Sequence, residues 1–368
     1  MDLSQGVAGP YCTMHLADMG CQVIKIEPNW GDWGRTMGVK VGKNGSVVFA
    51  TLNRGKQSFV IDAQTAEGRQ RIKSLASQCD ILVESFRPGV MERLELDWSR
   101  VHELNPRLIY CSISAFGSQG PYREKKGTDS ILQGLAGFMS ITGEEGGSPL
   151  KVGLALSDMF AGVLASQSIL SALLMREQDD LGRHIEISLM EALLELQRVQ
   201  ITEYLITGKL PQRKGNAHAH IAPSRSFRTA DGDIMVATIS NTDWTNFCKA
   251  MGLPDEFRDE FSDPRVRVKR RNEINARIEP TFLSAPSQHW LDLLERHDVL
   301  CGRIHQYDTL LNDPHVLSLD IIDQGSNPAT LKSPVRFIRE TEWHCLSDAP
   351  ELGQGTESML NSLAQTAS

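Results

Sequence analysis

Along the first half of the chain, the spacing of apolar residues alternates between a pattern typical of β-strands and one typical of α-helices. Short apolar runs such as QVIKIE, CDILVES and RLIYCSIS have the length and β-branched content of buried strands. Between them, stretches such as AEGRQRIKSLASQ repeat apolar residues at helical spacing. Alternating strands and helices are typical of a parallel sheet with flanking helices, so we predict an α/β fold for residues 1–196.

The pattern changes after residue 196. The segment TGKLPQRKGNAHAHIAPSRS has Pro, Gly, Asn and basic residues without periodicity, so residues 197–220 are predicted to be a linker. FRTADGDIMVATI and TDWTNFCKAMG predict a strand and a short helix of a smaller α+β domain, residues 221–305. Residues 306–368 are predicted as a second linker and a C-terminal return to the large domain, with a strand in SPVRFIRE and a final helix.

The chain opens with the pattern of a βαβ unit. MDLSQ is short for a first strand, so we expect the first residue to lie inside that strand. The turn GVAGP precedes a helix predicted for residues 11–19, and Glu27 ends the next strand, where dinucleotide-binding domains place a ribose-binding acid. GVAGPYCTM does not follow the GxGxxG pattern, however, so nicotinamide or flavin binding is not favoured.

Composition restricts the classes of function. The 368 residues are 40% hydrophobic and carry a net charge of -8, which disfavours nucleic-acid and membrane-surface binding because both need a basic face. Seven dispersed cysteines without CxxC provide no zinc framework, so no metal site is predicted. The sequence shows no apolar run of membrane-spanning length and no signal-peptide layout, and we therefore expect a cytoplasmic protein.

Two basic segments stand out in this acidic chain. The first is dense enough for an anionic ligand, although a solvated face explains it equally well; it contains Arg35, Lys40, Lys43, Arg54 and Lys56. The second, RVRVKRR at residues 265–271, is predicted to be the exposed start of a helix and receives no function.

Asp158 lies between the strand-like KVGLALS and a long apolar helix, DMFAGVLASQSILSALLMREQ. One interpretation is a helix N-cap, in which the carboxylate accepts hydrogen bonds from free backbone amides. The other is a nucleophile at the C-terminal edge of a parallel sheet, flanked by Gly153 and Gly162. Spacing alone does not decide between them.

Nine segments of the chain, in this order, resemble the family III CoA-transferases nearly from end to end. They are AGPYCTMHLADMGCQVIKIEP, LNRGKQSFVID, CDILVESFRPGVMERL, NPRLIYCSISAFGSQGPY, KGTDSILQGLAGFMSITGE, SPLKVGLALSDMFAGVLA, GRHIEISLMEALL, APSRSFRTADGDI and PELGQGTESML. The resemblance implies a Rossmann-like large domain and an intertwined homodimer in which each chain forms a ring through which the other passes. It also implies that CoA is a substrate and that no cofactor is tightly bound.

In this family the aspartate that matches Asp158 is the acyl-carrying nucleophile. The resemblance therefore implies that Asp158 forms a mixed anhydride and then an aspartyl-CoA thioester while CoA passes to a carboxylic acid acceptor. The CoA contacts that it implies are Arg35, Ile61, Gln64, Ser85, Phe86, Arg93, Lys126, Thr128 and Asp129. Ser85 stands where the family often has an asparagine, and Gln64 stands where its formyl-CoA transferase has a basic residue.

Three questions stay open at this point. The racemase branch of the family has a histidine where this chain has Thr128, before Asp129, so CoA transfer is favoured over an acyl-CoA racemase or epimerase. An inactive CoA-binding homologue is a further alternative. The donor and acceptor acids are not identified, although succinyl-CoA and a dicarboxylate fit the family, and His218 or His220 is a candidate contact for an acceptor carboxylate.

Overall fold

The computed structural model describes residues 1–42, 45–335 and 346–358. Lys43, most of the strand predicted in SPVRFIRE and most of the predicted final helix lie outside these residues. The helices are α1 (Ala8–Asp18), α2 (Val47–Leu52), α3 (Ala66–Ala76), α4 (Val90–Arg93), α5 (Trp98–Leu104), α6 (Asp129–Leu135), α7 (Phe138–Ile141), α8 (Leu156–Asp179), α9 (Leu189–Leu196), α10 (Arg198–Thr207), α11 (Asn241–Ala250), α12 (Asp255–Glu260), α13 (Pro264–Lys269), α14 (Arg271–Phe282), α15 (Ser287–Arg296), α16 (Tyr307–Leu310) and α17 (Pro314–Ser318). The strands are β1 (Val23–Glu27), β2 (Lys40–Val41), β3 (Gly45–Ser46), β4 (Lys56–Val60), β5 (Ile81–Glu84), β6 (Ile109–Ser114), β7 (Arg183–Ser188), β8 (Ser224–Arg228), β9 (Asp233–Ala237), β10 (Leu300–Arg303), β11 (Ile322–Asp323) and β12 (Thr330–Leu331).

The chain divides into two compact units. The first comprises residues 1–139, 151–210 and 320–368, and the second comprises residues 140–150 and 211–319. This boundary differs from the predicted linker 197–220, because α10 occupies its first half and belongs to the first unit. The second unit also takes residues 140–150 from the middle of the predicted large domain.

A parallel sheet organises the first unit. β1 pairs with β4, while β5, β6 and β7 pair in that order. Asp2 bridges Lys25 of β1 and Val83 of β5, so the segment around it joins the two groups into one sheet. The resulting order is β4, β1, the Asp2 segment, β5, β6 and β7. All of these pairings are parallel, as the alternation of strands and helices predicted.

Successive side chains of β6 point to opposite faces of the sheet and so enter two different cores. Its residues Ile109, Cys111 and Ile113 share one face and pack in a core with α1 and α8. Tyr110 points to the other face, where it joins a second core formed with α3 and α5. Both faces of the strand are therefore covered, which explains the nearly continuous apolar run in the sequence.

Four charged side chains lie fully buried around the Asp2 segment of the sheet. Lys56 Nζ contacts Asp2 Oδ2 at 3.0 Å, and Lys25 Nζ contacts Asp32 Oδ2 at 2.9 Å, with every one of these side chains inaccessible to solvent. Burial acts to raise the pKa of Asp2, but Lys25 and Lys56 outweigh it and hold the pKa well below its usual range. Asp2 therefore stays ionised, and its ion pairs with Lys25 and Lys56 hold the Asp2 segment beside β1 and β4.

The second unit has its own antiparallel sheet and core. Its strands lie in the order β10, β9, β8, and Phe227, Trp244 and Phe282 are among the aromatic residues packed beneath them. The prediction that RVRVKRR is the exposed start of a helix is wrong for Arg267. This residue lies in a separate helix, α13, and is 1% exposed, with its guanidinium donating to the carbonyls of Ala222, Phe261 and Ser262.

The prediction that the chain has no segment of membrane-spanning length also needs correction. Within the described residues, α8 is long and apolar enough to meet that criterion by length and composition. In the structure this helix packs against α1, α9, β6 and β7. Its apolar residues Ala161, Ala165 and Ile169 are fully buried in the first core.

Candidate active site

Asp158 is the third residue of α8, so the prediction that it is the N-cap is wrong. The helix begins at Leu156 after Ala155, whose side chain cannot cap it. Asp158 nevertheless lies in the first turn, where the partial positive charge of the helix end favours an anion. The acidic side chain that caps this helix comes from elsewhere in the chain.

That side chain is Asp129, at the start of α6. Its Oδ1 accepts a hydrogen bond from the backbone N–H of Ser157 at 2.9 Å and another from the Ser157 hydroxyl at 2.8 Å. Its Oδ2 accepts from Gln133 Nε2 at 2.8 Å, and Gln133 Oε1 in turn accepts from the N–H of Val152 at 2.9 Å. Asp129 and Gln133 thus hold the loop that leads into Asp158.

A close helix crossing brings the second turn of α8, directly after the turn of Asp158, against the N-terminus of α1. A methyl group at Gly162 would lie 2.8 Å from the carbonyl oxygen of Ala8 and 3.2 Å from the backbone nitrogen of Cys12, so only glycine fits there. Gly162 follows Asp158 by four residues and lies on the same face of the helix. The nucleophile candidate is therefore positioned beside the Gly6–Ala8 turn.

Asp158 lines a cavity of about 470 Å³. Among the described residues, Asp158 is the one acid in its lining, which also contains four cationic side chains. The lining residues are Gln5, Val7, Ala8, Trp33, Ser85, Phe86, Arg87, Pro88, Ile113, Ser114, Ala115, Phe116, Arg123, Lys125, Lys126, Gly127, Thr128, Asp158 and Leu189. Such a lining suits a ligand that is anionic at one end and apolar along its length.

Burial, followed by the negative charge of Asp129, raises the pKa of Asp158 to about 7. A carboxylate with this pKa is more basic than an exposed aspartate and is still ionised above neutral pH. Greater basicity makes it a better nucleophile toward an acyl carbon.

The cavity brings together four of the residues that the sequence assigned to CoA: Ser85, Phe86, Lys126 and Thr128. Ser85 Oγ also accepts a hydrogen bond from the N–H of Gln5 at 3.1 Å, which ties the end of β5 to the Gly6 turn.

Five of the residues assigned to CoA do not line this cavity: Arg35, Ile61, Gln64, Arg93 and Asp129. Ile61 is buried in the core, Gln64 and Arg93 are exposed, and Asp129 is occupied by Ser157 and Gln133. Arg35 makes two 2.7 Å hydrogen bonds to Glu27 and lies over the ring of Phe49. Their contacts with CoA stay predictions.

Arg54 and Lys56 fit neither interpretation offered for the basic segment near the start of the chain. Arg54 pairs with Asp18 at 3.1 Å and Lys56 pairs with Asp2, and all four side chains are buried. These cations therefore neutralise carboxylates of the chain itself. Lys40 is exposed.

Sequence reasoning missed Trp33, Arg87, Arg123 and Lys125, which all line the cavity. Arg87 directly follows Phe86, and the basic run REKK directly precedes Gly127, so proximity to predicted contacts was an available signal. His218 and His220 are exposed residues of the second unit, and their proposed contact with an acceptor stays a prediction.

The chain is similar to known proteins over nearly its whole length. The family model described as CoA-transferase family III matches residues 1–356. The chain is 33% identical to a succinate–glutarate CoA-transferase of Agrobacterium fabrum, over 99% of this chain and 94% of that protein. It is 32% identical to an acetyl-CoA:oxalate CoA-transferase of Acetobacter aceti, over 96% and 92%. A crystal structure of a CAIB/BAIF family protein from Brucella suis superposes with a TM-score of 0.87 at 31% identity, covering 98% of this chain and 97% of that one.

Proposed function

Because the chain belongs to CoA-transferase family III, we propose that it transfers coenzyme A from an acyl-CoA thioester to a carboxylic acid, with Asp158 as the nucleophile. The observation that carries this proposal is the position of Asp158. Within the described residues it is the one carboxylate in a cavity lined by four cations, and it lies in the first turn of a long helix.

Four exchanges of an activated acyl bond account for the reaction. The Asp158 carboxylate attacks the thioester carbonyl and expels the CoA thiolate, which leaves a mixed anhydride. The thiolate attacks the Asp158 carbonyl of that anhydride and releases the donor acid, forming an aspartyl-CoA thioester. The acceptor carboxylate attacks this thioester, expels the thiolate and forms a second anhydride. The thiolate then attacks the acceptor carbonyl, which yields the new acyl-CoA and restores the Asp158 carboxylate.

Each exchange places negative charge on a carbonyl oxygen near the first turns of α1 and α8. The first amides of a helix have no carbonyl partner within it, so those of Ala8 and Gly9 are suited to stabilise such an oxyanion. A preorganised donor of this kind typically contributes about 3 kcal/mol to the transition state.

Coenzyme A would occupy the cavity through contacts with Ser85, Phe86, Lys126 and Thr128, with Arg87, Arg123 and Lys125 as further cations for its phosphates. The CoA contacts proposed outside the cavity are Arg35, Ile61, Gln64, Arg93 and Asp129. For Arg35, such a contact requires the guanidinium to exchange its bonds to Glu27 for a phosphate.

For the substrates we propose succinyl-CoA as donor and a dicarboxylate as acceptor. The two CoA-transferases compared above are named for glutarate and oxalate, which are both dicarboxylates. The four cations in the lining provide charge for a second carboxylate in addition to the phosphates of CoA.

Racemisation is a weaker alternative for this site. It requires a second base, and the candidate is Asp129, since Thr128 replaces the histidine of that branch. The Asp129 carboxylate already accepts three hydrogen bonds that hold the loop before Asp158. Deuterium incorporation at the α-carbon of a branched acyl-CoA would favour racemisation.

The assembly is proposed to be an intertwined homodimer with a Rossmann-like large domain. The strand order of the first unit is that of dinucleotide-binding domains, which supports the domain assignment. None of the ten residues of α10, all within the described range, is buried, and Leu205 and Ile206 are 75% and 79% exposed. A second copy that covers this apolar helix would explain the exposure.

The six described cysteines are free thiols, which is compatible with a cytoplasmic location.

The test combines substrate screening with a trapped intermediate. Wild-type protein is assayed with succinyl-CoA or acetyl-CoA against glutarate or oxalate, and new CoA thioesters are identified by mass spectrometry. Asp158→Asn is expected to lose activity by several orders of magnitude because an amide oxygen cannot form the anhydride. Glu177→Gln, which removes an exposed carboxylate from the same helix, is the matched control and is expected to keep activity. Hydroxylamine added after acyl-CoA is expected to modify Asp158; near wild-type transfer by folded Asp158→Asn would refute the mechanism.

A further inference from the structure

The side chain of Asp32 joins the backbone on either side of Trp33 to the Gly6 turn beside the candidate active site. Asp32 is 1% exposed, and its Oδ1 accepts from the N–H of Gly6 at 2.9 Å and from the N–H of Gly34 at 2.7 Å. Its Oδ2 contacts the buried Lys25 Nζ at 2.9 Å. Because a buried aspartate with these partners cannot turn away without leaving polar groups unsatisfied, the backbone on either side of Trp33 is fixed.

The Trp33 ring lies directly on the backbone of Gly6. Gly6 has a φ of +80°, and a methyl group there would lie 1.9 Å from Trp33 Cζ2. The indole is 51% exposed and lines the same cavity as Asp158. Trp33 thus forms an aromatic wall whose position is set by the turn below it.

Neither Trp33 nor the Gly6 turn contributes a charged side chain to the cavity lining. The residues contributed by the Gly6 turn and its neighbours are Gln5, Val7 and Ala8, none of which is charged, whereas the cations come from residue 87 and residues 123–126. Coenzyme A carries its charge on phosphates, so the cationic loops suit that half of the thioester. Val7 and Ala8 of the Gly6 turn line the same cavity as Asp158, where the acyl group is proposed to react, and the close crossing at Gly162 lies one helix turn further on.

We propose that Trp33 limits the length of the acyl group that reaches Asp158, and so determines which acyl-CoA donors the protein accepts. The inference rests on the proposed function and names a residue that sets its specificity. Removal of the indole opens apolar space next to the acyl carbon, and longer acyl chains then bury methylenes that the wild-type protein excludes. In a pocket of this kind, one methylene changes the specificity constant by about tenfold or more.

The experiment compares acetyl-CoA, butyryl-CoA and hexanoyl-CoA as donors to glutarate. Wild type, Trp33→Ala, Trp33→Leu and Trp30→Ala are measured, with Trp30 as the control because it is 73% exposed and does not line the cavity. We expect the hexanoyl-to-acetyl ratio of kcat/KM to rise about tenfold in Trp33→Ala, less in Trp33→Leu and not at all in Trp30→Ala. If Trp33→Ala fails to fold, Trp33→Leu decides alone. A ratio within about threefold of wild type in every folded Trp33 variant, or the same rise in Trp30→Ala, overturns the inference.

Calorimetry separates failure of this inference from failure of the proposed function. The affinities of the same three thioesters are measured with Asp158→Asn protein, with and without Trp33→Ala, so that no transfer is required. A shift in chain-length preference there supports the role of Trp33 even if the wild type transfers CoA to none of the acceptors tested. An unchanged preference in both binding and turnover rejects it.

Discussion

Asp129 and Ser157 are joined by two hydrogen bonds, from the backbone N–H and from the hydroxyl of the serine, at 2.9 and 2.8 Å. The residue that follows Ser157 is the nucleophile candidate. Asp129 therefore acts on Asp158 in two ways, by holding its helix turn and by placing a negative charge near it.

The substitution Asp129→Asn removes the charge and keeps the acceptor for Ser157, although it gives up the hydrogen bond from Gln133 Nε2. The amide oxygen still accepts from Ser157, but the charge is lost, so the pKa of Asp158 falls from about 7 while burial continues to hold it above the ordinary value. In the wild type, kcat/KM is expected to fall as the pH drops below about 7, because the nucleophile becomes protonated. The acid limb of the profile in Asp129→Asn is expected at lower pH, and a pH profile of kcat/KM with saturating acceptor measures it. Identical profiles would contradict a charge effect.

Asp158→Asn is expected to stabilise the fold at alkaline pH. The pKa of Asp158 is raised from 3.8 to about 7 in the folded protein, so the folded state binds more protons than the unfolded state between these values. Stability contributed by the protonated form is therefore present below pH 3.8 and is lost as the pH rises through about 7. Asparagine removes this loss, and the gain at pH 8 is expected to be roughly 1–4 kcal/mol, since one pKa unit corresponds to about 1.4 kcal/mol. Urea unfolding at pH 4 and pH 8 tests this, and equal differences between the two proteins at both pH values would contradict it.

Lys126→Gln and Arg35→Gln are expected to have different consequences. Lys126 is an exposed residue of the cavity lining, so its neutralisation is expected to raise KM for acyl-CoA more than it lowers kcat, with little effect on stability. Arg35→Gln leaves Glu27, which is 1% exposed, without its ion-pair partner, and a loss of about 3 kcal/mol is expected. Steady-state kinetics and denaturant unfolding of both variants distinguish them. A stable Arg35→Gln protein with a raised KM would favour direct contact with CoA.

Charge on the exposed face of α10 is expected to disturb assembly. Leu205→Glu and Ile206→Glu place a carboxylate where a second copy is proposed to bury an apolar side chain, which destabilises the dimer strongly. Gln200→Glu adds the same charge to an exposed position of the same helix that is already polar, and serves as the control. Light scattering measures the molar mass of each. A wild type that is a stable, folded monomer would contradict the assembly.

Strands were predicted well because buried parallel strands leave a dense local signal. QVIKIE and RLIYCSIS, at residues 22–27 and 107–114, correspond to Val23–Glu27 and Ile109–Ser114. The cap of α8 could not be predicted in this way, because Asp129 lies 28 residues from Ser157 in the sequence. The burial of Lys56 likewise depends on Asp2, which is 54 residues away. Local patterns determine elements, whereas the partners of charged groups are determined by the tertiary fold.

The close crossing of α1 and α8 makes one position of this fold unusually intolerant. The atoms that a side chain at Gly162 would meet first include backbone atoms of Ala8 and Cys12, which cannot rotate aside as a side chain would. The two helices would have to move apart, and with them the turn that bears Asp158. Adding a single methyl group at Gly162 is therefore expected to shift Asp158 relative to the N-terminus of α1. The contact between position 162 and the backbone of Ala8 and Cys12 thus limits which residue α8 tolerates there and also sets how α8, with Asp158, lies against α1.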